Sequence, residues 1–265
     1  MIIHNFDPIL IDLGFFQVRW YSLAYIVGIM SGWIYANKII SKTLKKNNIL
    51  LIEPKIFDDL VIYLILGIII GGRLGYVLFY NLEYYFQNFK EILMLWNGGM
   101  SFHGGLIGVV IAVFLFSKKK NISFLSTTDI ISCVAPIGIF LGRLANFING
   151  ELFGKISTVP WAIIFPQAGT FARHPSQLYE AILEGLLLFV IINFISLKKN
   201  KIIRAGLTSC YFLIFYSIFR IFSEYFRVPD EHIGYFLNFF TMGSLLSFLT
   251  LIIGLVMLIK IKRNE

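Results

Sequence analysis

Apolar residues fill stretches of about 20 residues, enough to cross roughly 30 Å of hydrocarbon, and such stretches recur along the whole chain. Seven helices are predicted, at about 20–37, 57–79, 101–116, 127–148, 177–196, 206–224 and 237–259. The third is the weakest as a span, because the segment ahead of it, LMLWNGGMSFHGG, is rich in glycine. That segment is expected to be re-entrant or to lie at the membrane interface. The first 19 residues lack a basic start and are interrupted by Asp7 and Asp12, so they read as an interfacial segment rather than a cleaved signal peptide. No linker, low-complexity tract or convincing repeat interrupts residues 1–265, and a single integral-membrane domain is expected.

Composition agrees with the pattern. With 57% hydrophobic and 14% charged residues, an ordinary soluble domain is excluded. The net charge of +8 invites a nucleic-acid reading, and the placement of the charges rejects it. Fifteen of the 23 basic residues cluster at 38–55, 118–120, 198–204 and 260–263, that is, in every second connection and at the C-terminus. This is the positive-inside pattern of a chain whose N-terminus lies outside and whose C-terminus lies in the cytoplasm. The predicted fold is therefore all-α: a polytopic membrane protein of seven transmembrane helices, with its N-terminus outside and its C-terminus in the cytoplasm. Cys133 and Cys210 lie in apolar spans without CxxC spacing and read as small buried hydrophobes.

Three basic residues escape those clusters and fall inside apolar helices: Arg73, Arg143 and Arg220. An arginine at mid-bilayer depth costs about 2.5–3.5 kcal/mol on insertion scales, so it faces a polar partner or cavity. Arg143 lies about 24 Å along its outward-running span at 1.5 Å per residue, in the outer third. Arg220 and Arg73 also sit toward outer ends, and Tyr21 and His103 stand at the outer starts of inward-running spans. Arg173, His174, Gln177, Tyr179 and Glu180 mark the outer mouth of the fifth span. The unusual polar residues are thus expected at one leaflet, leaving the cytoplasmic half apolar. Spacing adds that Arg143 and Asn146 share a helix face, as do Tyr216, Arg220 and Glu224. Arg220–Glu224 reads equally as a structural ion pair. Gly67, Gly71 and Gly75, at four-residue steps, form a packing face that Arg73 either bridges or uses to reach a ligand.

The segment GRLANFINGELFG at 142–154 resembles prolipoprotein diacylglyceryl transferases, an inner-membrane enzyme family of bacteria. GGRLGYVLFYN, WNGGMSFHGGLIG, RHPSQLYEAILEG and FRIFSEYFRVPD extend the resemblance over nearly the full length. It implies transfer of the diacylglyceryl group of phosphatidylglycerol to the lipobox cysteine of a prolipoprotein, with a thioether formed and glycerol-1-phosphate released. It also carries over essential positions at Tyr21, His103, Arg143, Asn146, Gly154, Tyr216 and Arg220.

The residues alone support related chemistry. Guanidinium forks at Arg143 and Arg220 suit a phosphodiester and stabilise charge building on a leaving phosphate, so no cofactor is required. A metal is equally unnecessary, and the sequence shows no ligand cluster for one. A thiol nucleophile needs a base near neutral pH; His103 is the best placed, and Glu151 is the second candidate. Tyr21 and Tyr216 offer hydroxyls for orientation, while Asn146, Gly154 and Arg73 complete the candidate substrate contacts. The rival class is an anion channel or transporter lined by arginines, which requires polar residues along the whole pore. An intramembrane hydrolase would need its own nucleophile, and Ser101 near His103 lacks an elbow motif. The charge pattern makes one topological prediction: the variant Lys119→Cys reacts with impermeant thiol reagents only from the cytoplasmic face of oriented vesicles, and labelling from the other face would reverse the assignment.

Overall fold

A computed structural model of the chain describes residues 2–14, 17–47, 49–95, 98–229 and 240–263, apart from the side chains of residues 79, 80, 102 and 103. The long helices are α1 (Trp20–Asn47), α2 (Pro54–Tyr80), α4 (Phe102–Lys120), α5 (Phe124–Ile148), α6 (Ser176–Lys198), α7 (Leu207–Glu224) and α8 (Met242–Arg263), with a short α3 (Leu82–Gln87) after α2. Among the described residues, α1, α2, α5, α6 and α8 are long and apolar enough to cross a membrane. α4 and α7 stay outside that set: α4 ends in three lysines, and α7 holds Arg220 and Glu224. The seventh predicted span began at 237, and its first residues lie outside those described.

The outer faces fit lipid. On α2, Ile62, Leu66, Ile70, Leu74 and Leu78 recur at four-residue steps and are all exposed, a stripe that water would penalise and hydrocarbon accepts. Local signals set the helix ends. Pro54 occupies the first turn of α2, where its missing N–H has no helical partner to lose. Ser101 caps α4 by accepting the Gly104 N–H at 3.2 Å, and Asn121 ends the helix in the left-handed region at φ 52°.

Two compact units emerge, residues 40–128 and the remainder. In the 40–128 unit, α2 and α4 pack through glycines. A Cβ on Gly67 would stand 2.7 Å from the Gly108 carbonyl oxygen, and one on Gly75 would stand 2.6 Å from Gly104 Cα. No side chain fits there, so the small-residue face exists to let two backbones touch.

The same unit explains Arg73. Its Nε donates to Ile92 O (2.9 Å), Nη2 to Glu91 O (2.6 Å) and Met94 O (3.2 Å), and Nη1 to Gly99 O (3.1 Å) and Gly98 O. The guanidinium also lies 5.2 Å from the Tyr85 ring centre. All five N–H donors are committed to backbone carbonyls of one irregular loop. Arg73 therefore pins that loop through its backbone carbonyls, the bridging one of the two roles its sequence position offered. Trp96 and Asn97, in the segment expected to be re-entrant, lie outside the described residues.

In the other unit, short strands depart from the all-α expectation. β1 (Ile2–Ile3) pairs parallel with β4 (Ile163–Ile164), which pairs antiparallel with β5 (Ala172–Arg173). β2 (Ile9–Asp12) and β3 (Gln17–Arg19) form a hairpin leading into α1. His4 locks β1 in place, donating from Nε2 to Phe147 O at 2.6 Å and stacking on Phe165 at 5.1 Å.

The end of α5 far from Arg143 was expected to be apolar, and this is also corrected. Asp129 there is fully buried and accepts Gly206 N (2.6 Å), Ser209 N (2.7 Å) and Ser209 Oγ (2.7 Å), so a carboxylate from α5 caps the N-terminus of α7. Ser196 and Thr208 pair at 3.1 Å, and Asn193 joins Tyr35 Oη at 3.1 Å and Cys133 O at 3.0 Å. A helix start buried in a membrane needs such partners. Replacing this cap, Asp129→Ala, is expected to cost about 1–2 kcal/mol of stability, the upper range for a lost cap, seen as a lower thermal unfolding midpoint in detergent. An unchanged midpoint would show that the cap is dispensable.

Candidate active site

The site begins with a backbone contact. A Cβ on Gly185 would stand 2.6 Å from Phe140 Cβ and 2.7 Å from Phe140 Cα, so α5 and α6 touch one turn before Arg143. Over Ala181–Leu187 the α6 backbone widens to i→i+5 hydrogen bonding, a local deformation frequent at functional sites. Glu180 stands just before this turn and Glu184 at its middle, and both are fully buried. α7 supplies Arg220, Ser223 and Glu224 from one face.

These side chains form one ionic network. Arg143 Nη1 meets Glu180 Oε2 at 2.8 Å, and Arg143 Nη2 meets Glu184 Oε2 at 3.2 Å. Arg220 Nη1 meets the other oxygens of the same carboxylates, Glu180 Oε1 at 2.9 Å and Glu184 Oε1 at 3.5 Å. Arg220 Nη2 reaches Glu224 Oε2 at 2.6 Å, and Arg227 Nη1 stands 3.7 Å from Glu180 Oε1. Hydroxyls complete the shell: Ser223 Oγ donates to Glu184 Oε1 at 2.7 Å, and Thr241 Oγ1 donates to Glu224 Oε1 at 2.8 Å.

Magnitudes explain why the groups gather. An isolated buried charge costs several kcal/mol even after relaxation, and only close pairing offsets it. Among the described residues three arginines (143, 220, 227) face three glutamates (180, 184, 224), so the cluster is formally neutral. Neither Arg143 nor Arg220 is sealed. The Arg143 side chain keeps 14% of its surface exposed and that of Arg220 10%, whereas both bridging glutamates show none. A guanidinium carries five N–H donors, and the carboxylates engage each of these arginines only through its Nη atoms. Among the described residues, each of these guanidiniums keeps N–H donors beyond those contacts.

Beside the network lies the loop after α5. Glu151 is exposed, and its Oε1 accepts Asn146 Nδ2 at 2.7 Å and Asn149 Nδ2 at 3.5 Å. Gln177, fully buried at the start of α6, donates to Glu151 O at 2.6 Å, and Ser176 Oγ donates to Leu152 O at 2.9 Å. Leu152 takes φ 57° within this turn. Gly154 then bonds the His174 carbonyl through its N–H at 2.9 Å and bridges Arg227 as an isolated β pair. Aromatic residues border the region: Tyr179 Oη accepts Trp161 Nε1 at 2.6 Å and lies 3.0 Å from His174 Nδ1. Partial burial lowers His174 below the usual histidine range.

The structure thus brings Arg143, Arg220 and Glu224 into one network, with Asn146 and Glu151 hydrogen-bonded to each other. Tyr216, one turn before Arg220, lies within electrostatic reach of Glu184, Arg220 and Arg143 and stacks on Phe212 at 5.8 Å. Tyr21 packs on Tyr25 at 5.2 Å. Gly154 provides close backbone approach and no side chain. His103 sits in the first turn of α4 in the 40–128 unit, and its side chain lies outside those described. Sequence reasoning missed Glu184, Ser223 and Arg227 as cluster members and placed Glu180 only at the mouth. The missed signal was available: Glu180 and Glu184 are two acids, four residues apart, in an otherwise apolar span, and such acids require buried cations.

The family model described as prolipoprotein diacylglyceryl transferase matches residues 8–260 of the chain. A Rickettsia bellii (strain OSU 85-389) protein named phosphatidylglycerol--prolipoprotein diacylglyceryl transferase is 50% identical over 260 residues, covering 98% of this chain and 97% of its own. Proteins of the same name from Rickettsia felis and Rickettsia typhi are each 51% identical over 254 residues, covering 96% of both chains.

Gly154 tests how tightly the loop is wedged. A Cβ there would lie 2.5 Å from the His174 carbonyl oxygen, 2.7 Å from His174 Cβ and 2.7 Å from the Phe226 carbonyl oxygen. Two of these three atoms are backbone and cannot swing away, so Gly154→Ala is expected to cost about 1–3 kcal/mol as overpacking. The measurement is residual activity together with the thermal midpoint, both of which should fall. Wild-type values for both would contradict this packing.

Proposed function

The chain belongs to the prolipoprotein diacylglyceryl transferase family, and from that membership we propose that it moves the diacylglyceryl group of phosphatidylglycerol onto the lipobox cysteine thiol of a prolipoprotein. It is a transferase of lipoprotein biosynthesis and a multi-pass membrane protein. In the proposed topology α4 and α7 also cross, giving seven spans, with the N-terminus in the periplasm and the C-terminus in the cytoplasm. The active site then opens toward the periplasmic leaflet of the inner membrane, and residues 1–265 act as one transferase domain.

The observation that supports the reading best is the meeting of Arg143 and Arg220 across Glu180 and Glu184. Two forks held on common carboxylates direct their remaining donors at one anion. In the proposed step the cysteine thiolate attacks the glyceryl carbon bearing the phosphate ester. A C–S bond forms, the C–O bond to phosphate breaks, and the electron pair leaves with glycerol-1-phosphate. Arg143 and Arg220 stabilise that departing charge electrostatically. Asn146, oriented by Glu151, together with Tyr216 and Tyr21, positions the headgroup, and Gly154 keeps the loop close enough for them to do so. His103 takes the thiol proton. The anion-channel reading has less support, because the buried polar groups around Asp129 are engaged with each other and with backbone.

Purified protein in phosphatidylglycerol vesicles with a lipobox peptide is expected to lipidate the cysteine and release glycerol-1-phosphate, and absence of both products would refute the assignment. In the same assay His103→Gln should bind lipid with wild-type affinity yet lose at least about a hundredfold in turnover, the lower range for a general base. Lost lipid binding would instead make His103 a headgroup ligand.

A further inference from the structure

Glu184 stands apart from the groups that face the headgroup. It is fully buried on α6, at the middle of the widened turn, and touches both arginines at once. Glu180 already supplies a negative charge at closer range to each, 2.8 and 2.9 Å. Glu184 supplies the third negative charge of the cluster and, unlike Glu224, touches Arg143 and Arg220 at once.

Its own geometry is specific. One oxygen serves Arg143, and the other serves Arg220 and Ser223, which lies three residues after Arg220 on the same face of α7. Ser223 is fully buried, and its hydroxyl donates to Glu184 Oε1 at 2.7 Å. Close packing of Gly185 on Phe140 holds the strut from behind.

We infer that Glu184, oriented by Ser223, is a positioning residue that sets the spacing and tilt of the Arg143 and Arg220 guanidiniums so that their free donors converge on one phosphate. The inference rests on the transferase reading. A planar fork recognises phosphate only in the right orientation, and a carboxylate bridging two forks fixes both together. It also withholds positive charge from the resting site. Replacing Glu184 by glutamine leaves the cluster with a net positive charge, so a phospholipid monoanion binds more readily. The amide cannot accept from both arginines through two oxygens, so one fork turns away and the leaving phosphate loses aligned donors. Ground-state binding and turnover move in opposite directions, a pattern that simple loss of folded protein does not produce.

The test uses full-length variants in phosphatidylglycerol vesicles with a lipobox peptide, kcat being normalised to folded protein. Glu184→Gln is expected to lower kcat about tenfold, the scale of one lost charge-assisted hydrogen bond, while KM for phosphatidylglycerol falls. Ser223→Ala keeps the charge and loses the orienting bond, so kcat falls about threefold with KM unchanged, the scale of a neutral hydrogen bond. A kcat within twofold of wild type for either variant, or a raised KM for Glu184→Gln, overturns the inference. Should Glu184→Gln fail to fold, Ser223→Ala decides alone. An inactive wild-type protein would instead count against the transferase reading.

Discussion

A buried charge must find a partner, and this requirement organises the molecule. Arg143 and Arg220 come from separate helices, and in a low-dielectric interior neither is tolerable alone. Glu180 and Glu184 lie between them on α6, and each carboxylate touches both arginines. The three helices α5, α6 and α7 are therefore held by mutual electrostatic need as well as by the backbone contact of Gly185 with Phe140. A shared pair of carboxylates places two guanidiniums side by side, the arrangement on which the proposed recognition of one phosphodiester rests.

The same requirement is met differently at two other places. Arg73 finds carbonyls in place of carboxylates, and its five donors are spent on the backbone of an irregular loop. Asp129 finds the buried N–H groups at the start of α7 and caps them. Three buried ionisable groups thus have three kinds of partner: opposite charge, backbone acceptors and backbone donors. The network that keeps some surface exposure and spare donors is the one suited to chemistry.

The helices were legible because hydrophobic length is a strong signal, and the small-residue face of α2 was legible because glycines at four-residue steps have few other uses. The link between Arg220 and Glu224 could be read from i,i+4 spacing. Glu184 could not be paired with Arg143, nor Ser223 with Glu184, because pairing across helices depends on how α6 rotates, and the widened turn over Ala181–Leu187 changes that rotation. The sequence left Arg73 open between bridging and ligand contact because its partners are backbone carbonyls, which leave no trace in side-chain identity. Asp129 was overlooked for a similar reason, since its partners are mainly peptide N–H groups. The short strands escaped because two-residue pairings such as Ile2–Ile3 with Ile163–Ile164 carry no periodicity to detect.

The central claim is that Arg143 and Arg220 act on one phosphate as a single device. A double-mutant cycle on kcat/KM for phosphatidylglycerol, built from Arg143→Lys and Arg220→Lys, measures this directly, because lysine keeps the charge and removes the fork. The account predicts strong non-additivity, with the double variant little worse than either single one. Losses that multiply as if independent would contradict a shared phosphate.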